Sequence, residues 1–321
     1  MIIKPHEMNI YSLKLEALGR RTEDYHREKS KIQDEIVKNK SGIKGEREIS
    51  YPLSFLTPED YLILHNLRVP SLQSHFEIDT LIPSRNYLLI VEVKNWYGTL
   101  YFDGENQVIR VGDDGKEEGL PNPIPQVELQ RHRLRLWLNQ QNFPQIPLLY
   151  FVVYSSPSTI IKPLSSNNPV PKEVIHSNLL FHKIKELNRQ FRDPIFDMDM
   201  LQQLSSKLLA DHTPYDTNVL NNFSVKRSEL IKGVFCPQCS SVPMERLNRK
   251  WHCRHCNHFS ANAHIPALND YYLLFGENIR NREAREFLMV DSPEVMKNLL
   301  LNSGYSYTGN TKSRSYRLEL K

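Results

Sequence analysis

Asp79, followed along the chain by Glu92-Val93-Lys94, is the combination of residues best suited to chemistry. Two carboxylates and a lysine on neighbouring strands can hold a divalent metal against a phosphodiester. A hard cation such as Mg²⁺ takes oxygen ligands, keeps several waters, and needs only one or two carboxylates beside substrate phosphate. Such an ion polarises a phosphoryl oxygen and lowers the pKa of a bound water, while a lysine orients that water or stabilises developing charge. Alone, Glu92-x-Lys94 reads as an ordinary surface ion pair at a strand end. Asp79, one hairpin earlier, is what points to a metal site.

The elements that must position these groups are visible in the pattern. Tyr87 to Val93 is rich in Leu, Ile and Val and reads as a central strand, on which Glu92 and Lys94 project together. Phe76 to Ile82 alternates in the same manner, and Pro83-Ser84-Arg85-Asn86 supplies turn chemistry between the two. A hairpin then brings Asp79 to Glu92, provided the register puts both on one face. The stretch Gly42 to Glu48 reads as opening a helix, where Glu46 would be a solvated acidic residue favoured by the helix dipole. Gln126 to Leu138 has apolar residues at helical spacing, with Arg131, Arg133 and Arg135 on the other side as a solvated basic face or as phosphate contacts. Trp96 and Tyr97 read either as base-stacking residues or as core.

Taken in order, Gly42-x-x-Gly45-Glu46, Phe76-x-Ile78-Asp79-Thr80-Leu81, Ile90-Val91-Glu92-Val93-Lys94-Asn95, Gly98-Thr99-Leu100 and Asn122-Pro123-x-x-Gln126 resemble the nuclease-related (NERD) domain of bacterial proteins over roughly residues 38 to 155. The ordered set is far more specific than any one motif. The resemblance implies the α/β core of the PD-(D/E)xK superfamily, a mixed central sheet flanked by helices. It also implies Asp79 and Glu92 as ligands of Mg²⁺ or Mn²⁺, Lys94 as the catalytic lysine, Glu46 as the acidic residue of the first helix, and Gln126 as the polar residue of the helix after the sheet. Two departures stand out. Asp79 follows Ile78 and not Pro, and Glu77 occupies the position where the family usually has Gln, adding a negative charge.

All four cysteines fall in two pairs, Cys236-Pro-Gln-Cys239 and Cys253-Arg-His-Cys256, with thirteen residues between them. Two such knuckles supply four thiolates to one tetrahedral Zn²⁺. Met244 to Leu247 and Lys250 to His252 read as the hairpin strands of a zinc ribbon. A closed four-thiolate site has no open coordination position, so this zinc is expected to be structural, with His252, His255 and His258 unnecessary as ligands.

At 321 residues, 40% hydrophobic and 24% charged, the chain reads as globular and multidomain, and its net charge of +4 says little by itself. The distribution says more: from Ser224 onward fifteen Lys and Arg face nine Asp and Glu, an excess of six that leaves the remainder at −2. No apolar stretch approaches the roughly 20 residues of a membrane span, and Met1-Ile2-Ile3-Lys4-Pro5 lacks a signal-peptide core, so a reducing cytoplasm is expected.

The expected organisation is an N-terminal helical extension (1–37, helical over 8–40, packed on the nuclease core), the nuclease-like domain (38–155), a strand-and-helix segment with a linker at 211–216 (156–223), a zinc ribbon (224–264) and a winged-helix-like domain (265–321). Residues 112–125 and 155–172 read as loops and 174–181 as a strand. In the last domain Asn281 to Leu288 reads as a helix, and Asp291-Ser292-Pro293-Glu294 caps another that Gly304 stops. A hairpin follows whose Lys312, Arg314 and Arg317 form a basic wing suited to nucleic acid. The function that results is metal-dependent hydrolysis of phosphodiester bonds, with DNA as the expected partner and no membrane partner. The alternatives are a non-catalytic nucleic-acid-binding or regulatory protein on the same fold, and an interaction scaffold without nucleic-acid affinity, which salt-dependent DNA binding would exclude.

Overall fold

In a computed structural model of the chain, residues 1–6, 9–71, 74–103, 106–310 and 313–321 are described. The chain folds as two compact units, Met1–Met8 with Asn39–Tyr215, and Asn9–Lys38 with Asp216–Lys321. After a short strand, β1 (Ile2–Lys4), come two helices, α1 (Ile10–Arg21) and α2 (Lys29–Glu48), where a single helical stretch is expected from sequence. Asn9 starts α1 by accepting a hydrogen bond from the Ser12 amide, at 3.1 Å. Residues 29–38 of α2 belong to the second unit and 39–48 to the first.

The first unit carries strands β2 (Ile63–Ser71), β3 (Ser74–Pro83), β4 (Leu88–Lys94), β5 (Thr99–Asp103), β6 (Gln107–Val111), β7 (Glu117–Pro121), β8 (Leu148–Tyr154), β9 (Ile160–Pro163) and β10 (Val174–His176). Its helices are α3 (Ser50–Leu53), α4 (Pro123–Gln140), α5 (Leu180–Gln190) and α6 (Met198–Asp211). Six strands form a mixed sheet in the order β1-β2-β3-β4-β8-β10, and a second sheet runs β7-β6-β5-β9. The first unit is thus a mixed α/β fold with a central sheet flanked by helices.

Alternation along β4 explains the layers. Leu88 and Ile90 pack with Val127, Leu134, Trp137 and Leu138 of α4, while Leu89, Val91 and Val93 pack with Leu53 of α3 and with Leu180 and Ile184 of α5. Both faces of the strand are covered, which is why it is apolar almost throughout. Strand β3 pairs antiparallel with β4 through Thr80↔Val91 and Leu81↔Ile90. Its alternation is not regular, however. Ile78 and Leu81 join the same core, as do their partners Leu67 and Leu64 on β2. The change of phase falls at Asn66, opposite Asp79, where a left-handed φ of 50° turns the strand.

Residues read from sequence as loops supply β7 and β9, and the strand expected over 174–181 stops at His176 before α5 begins. Both extra strands complete the second sheet by pairing with β6 and β5, a long-range choice that local composition does not report. Gly98 makes the corner into β5 at a φ of 91°, and a Cβ there would lie 2.4 Å from the Val111 carbonyl.

In the second unit, the ribbon hairpin is β11 (Glu245–Leu247) with β12 (Lys250–His252), joined by Asn248 and Arg249 at positive φ, and β13 (Phe259–Ser260) completes its sheet. A short helix, α7 (Val219–Asn222), precedes the ribbon. After it come α8 (His264–Phe275), for which the sequence pattern gave no expectation, β14 (Asn278–Arg280), α9 (Asn281–Leu288), α10 (Pro293–Asn302), β15 (Ser306–Thr308) and β16 (Ser315–Arg317). The three strands form a sheet in the order β14-β16-β15. Ser292 caps α10 by accepting from the Val295 amide, and Gly304 follows it at a φ of 76°.

Helix α1 and residues 29–38 of α2 belong to this unit, whereas the N-terminal extension was expected to pack on the nuclease-like core. Leu15, Leu18 and Ile32 share a core cluster with Val219, Leu220, Leu273 and Leu274. Beside it, the fully buried Arg21 donates to Asp270 from Nε at 2.8 Å and to the Gly233 carbonyl from Nη1 at 2.7 Å, with Phe235 and Phe287 rings at 4.6 and 4.7 Å. Removing one partner of such a pair strands a buried charge. Asp270→Ala is expected to cost about 3–5 kcal/mol, read as a shifted denaturation midpoint in Trp251 fluorescence. The double change Arg21→Met/Asp270→Leu is expected to cost less.

Candidate functional site

Glu92 extends the Leu88–Ile90 face of β4 toward α4 and is 1% exposed. A buried carboxylate requires partners, and α4 supplies them. Gln126 and Gln130 stand one helical turn apart, so both amides reach the same strand residue. Nε2 of Gln126 donates to Glu92 Oε1 at 2.6 Å, and Nε2 of Gln130 donates to Oε2 at 2.8 Å. Lys94 Nζ donates to Glu92 Oε1 at 2.6 Å and to Gln126 Oε1 at 3.0 Å. Asn122 fixes the start of α4 by accepting from the Ile124 amide at 3.0 Å, with Pro123 in the first turn.

Asp79 arrives from the other side of β4. Where the β3–β4 ladder would continue past Thr80↔Val91, its Oδ2 accepts the Val93 amide at 2.7 Å. The side chain thus replaces a strand-to-strand bond and holds the carboxyl beside Glu92. Glu46 also reaches the site, but from the last turn of α2 and not from the start of a helix. Glycines 42 and 45 do not mark a helix start. A Cβ on Gly45 would lie 2.5 Å from Asn95 Cβ and 2.9 Å from Ser155 Oγ, so glycine lets the helix end pass close to the strand that carries Lys94. Asn66, set by its left-handed backbone, donates from Nδ2 to Glu46 Oε2 and stands 3.0 Å from His6 Nδ1 through Oδ1.

The electrostatics are those of crowded acids. Burial, then the charges of Glu92 and Glu46, raise the Asp79 carboxyl well above its ordinary range, with Lys94 and the Val93 amide opposing. Burial raises Glu46 as well, with the Asn66 hydrogen bond opposing and Glu92 and Glu77 adding to the rise. Burial pushes the His65 imidazole on β2 down to about 3, so it is neutral near pH 7. The extra charge of Glu77 is offset by Arg68, whose Nε lies 3.0 Å away.

A carboxyl whose folded pKa is raised contributes stability that is present below its unfolded pKa and lost as pH rises through the folded value. At neutral pH Asp79 therefore works against the stability of the fold. Asp79→Asn keeps an acceptor for the Val93 amide and is expected to stabilise the metal-free protein by about 0.5–2 kcal/mol at pH 8. That gain should shrink as the pH is lowered toward 4, as followed by thermal denaturation.

Two oxygens remain open to a cation. Glu92 Oε2 takes one donor, and no hydrogen bond reaches Asp79 Oδ1 among the described residues. Glu46, Asp79 and Glu92 do not converge as tightly as a closed cage. Mg²⁺ and Mn²⁺ sites of one or two carboxylates completed by water and phosphate fit this donor set. Gln130 and Asn66 were missed from sequence. Gln130 is betrayed only by its spacing from Gln126, and no local pattern marks Asn66. Trp96 turns inward against Tyr154, ring centroids 5.8 Å apart, while Tyr97 is exposed beneath the Arg110 guanidinium. The three arginines of α4 meet protein groups: Arg131 pairs with Glu128, Arg133 donates to the His75 carbonyl and Arg135 to that of Ile146.

In the second unit the sulfurs of Cys236, Cys239, Cys253 and Cys256 all lie within 4.8 Å of one another. Among the described residues they are the one group of three or more His, Cys, Asp or Glu gathered so closely. Pairs at 3.5 and 3.6 Å are too long for disulfides, near 2.05 Å, and close to the roughly 3.8 Å expected when four thiolates sit about 2.3 Å from one zinc. The two knuckles share one geometry, each followed by a left-handed residue, Ser240 at φ 59° and Asn257 at φ 56°. His252 stacks on Phe259 at 4.5 Å instead of joining the sulfurs.

Of the wing residues, Arg314 stacks over Tyr307 at 4.1 Å and Arg317 pairs with Glu277 at 2.9 Å; Lys312 lies outside the described residues. No helix among the described residues is long and apolar enough to cross a membrane.

The family model described as the nuclease-related domain matches residues 41–155. No curated protein and no solved structure matches the chain. The matched span runs from the end of α2 through the sheet and α4 to the close of β8, and so encloses Glu46, Asp79, Glu92, Lys94 and Gln126. Residues 41–155 are a nuclease-related domain.

Proposed function

We propose that the chain is a divalent-metal-dependent nuclease that hydrolyses phosphodiester bonds in DNA, with its C-terminal unit serving to dock the substrate. The observation that carries this reading is the single hydrogen-bonded group of Glu92, Lys94 and Gln126 beside an Asp79 whose carboxyl is raised by burial and by its acidic neighbours. Perturbed carboxyls with a lysine among them favour a working site over a structural ion pair. Asp79 and Glu92 would hold Mg²⁺ or Mn²⁺, which when bound polarises the phosphoryl oxygen and lowers the pKa of a water. Lys94, an N–H donor only, orients the attacking water or steadies a non-bridging oxygen as charge develops. Gln126 keeps Lys94 in place, and Glu46 closes the acidic side of the site.

The four cysteines are read as a structural Zn²⁺ site. The order α8-β14-α9-α10-β15-β16 is read as a winged helix, with Arg314 and Arg317 facing phosphates. The test is digestion of circular and linear, single- and double-stranded DNA and RNA with added Mg²⁺ or Mn²⁺, run beside Lys94→Ala. Cleavage of DNA by the wild type alone, and only with the metal, is the expected result. A purified zinc-loaded protein that degrades none of these substrates overturns the reading. Salt-sensitive DNA binding without cleavage would instead mark a binding protein on a nuclease fold.

A further inference from the structure

The first unit carries an aromatic and basic patch at the edge of its core, outside the acidic site. Tyr51 and Phe55, on α3 and just after it, are 73% and 55% exposed, unusual values for large rings set side by side. Their rings meet edge to face at 5.2 Å, and Phe55 meets the half-buried Phe181 of α5 at 5.9 Å. Lys185 lies one helical turn from Phe181, with its ammonium 5.5 Å from that ring. Along α5, Lys183, Lys185 and Arg189 outnumber the single acid, Glu186. The inner side of α5 is spent on the core through Leu180 and Ile184, with Phe181 packed at the edge of that core; Lys183 pairs with Glu186, which leaves Lys185 and Arg189 as the cations of the outer side.

From this we infer that the patch of Tyr51, Phe55, Phe181 and Lys185 binds an unpaired strand of nucleic acid and leads it to the acidic site. The inference rests on the nuclease reading above and adds the form of substrate that the site receives. Single strands are held by rings on which successive bases stack and by cations that follow the backbone. A duplex hides its base faces, and exposed rings gain little from it. The patch lies on the α3 and α5 layer, across the sheet from Glu92 and α4, and approaches the site at the end of the sheet where Lys94, Tyr154 and His176 stand in register. Tyr51 follows Glu46 by a single helical turn or so, across the end of α2. On the other flank, Ser177, just before α5, donates to the Ser155 carbonyl at 3.4 Å, and Ser155 donates to Asn95 Oδ1 at 3.2 Å, next to Lys94.

The test measures fluorescence anisotropy of a labelled oligothymidylate and of a labelled blunt duplex, using the full zinc-loaded chain without added Mg²⁺ or Mn²⁺. Tyr51→Ala/Phe55→Ala is expected to weaken oligothymidylate binding about 10- to 100-fold, as loss of stacking for one or two bases implies, with little change in duplex binding. Lys185→Glu should weaken the same single-strand binding and its salt dependence. Both variants alter exposed or half-exposed positions, and an unchanged thermal midpoint confirms folding. The inference is overturned if the wild type does not bind oligothymidylate, if the double variant binds it as well as the wild type does, or if single-strand and duplex binding fall equally. It is also overturned if the double variant instead abolishes a dimer seen by sedimentation, which makes the patch a contact between copies. Patch-dependent binding by a wild type that cuts nothing removes the nuclease reading alone, and cutting with patch-independent binding removes this inference alone.

Discussion

Lys94→Ala is expected to lower metal-dependent cleavage by a factor of about 10²–10³ or more, the usual loss when one positioned donor leaves a water-poor reaction site. Two effects combine. The direct one is loss of the N–H donors that face water or phosphate. The indirect one follows from the geometry: Lys94 neutralises a carboxylate that is almost fully enclosed, and its charge lowers the pKa of both Asp79 and Glu46. Without it, both acids hold their protons to higher pH, and a protonated carboxyl is a poor metal ligand. The variant should therefore bind Mn²⁺ more weakly near pH 6 than near pH 8, a dependence that titration calorimetry measures without any turnover. Asp79→Asn is a cleaner companion than Asp79→Ala, since alanine would also orphan the Val93 amide at a cost of about 1–3 kcal/mol. Wild-type cleavage rates in Lys94→Ala, at unchanged metal affinity, would refute the assigned roles.

The other large effect concerns zinc. Purified protein is expected to carry one zinc per chain, and its removal should unfold much of the second unit, because structural zinc contributes apparent free energies of about 10–16 kcal/mol. Cys236, Cys253 and Trp251 belong to the same buried cluster as Tyr271, Phe287 and Leu300, so the cysteine knuckles and the helix-and-hairpin module share one core. Trp251 is the one tryptophan of that unit and reports directly on it. A chelator, or Cys253→Ser, should shift its emission to the red, while Trp96 and Trp137 keep their folded environments. Neither His252 nor His264 offers rescue, since His252 is stacked on Phe259 and His264 is buried, accepting from the Trp251 indole. Metal analysis that finds no zinc in a folded second unit would refute the assignment.

Features set by neighbours along the chain are legible in the amino-acid sequence itself. The apolar run into Glu92 and Lys94 reads as a covered strand because both of its faces are buried. The two cysteine pairs read as knuckles because each closes within four residues, and the α10 cap lies in Asp291 to Glu294. What tertiary structure alone decided is which distant segment answers each of these. Of two glycines that read as opening a helix, Gly45 turned out to permit a close helix approach, and Glu46 falls at the end of a helix and not at its beginning. Gln130 and Asn66 became part of the site only because a buried carboxylate on one strand, and an acid at a helix end, each required a donor from elsewhere. Helix α1 and the first half of α2 joined the C-terminal unit for a similar reason: Arg21 finds its counter-charge in Asp270, 249 residues away. Periodicity along a chain reports how much surface a segment must bury and how its side chains alternate, whereas the partner that buries it is chosen by packing and charge across the whole fold.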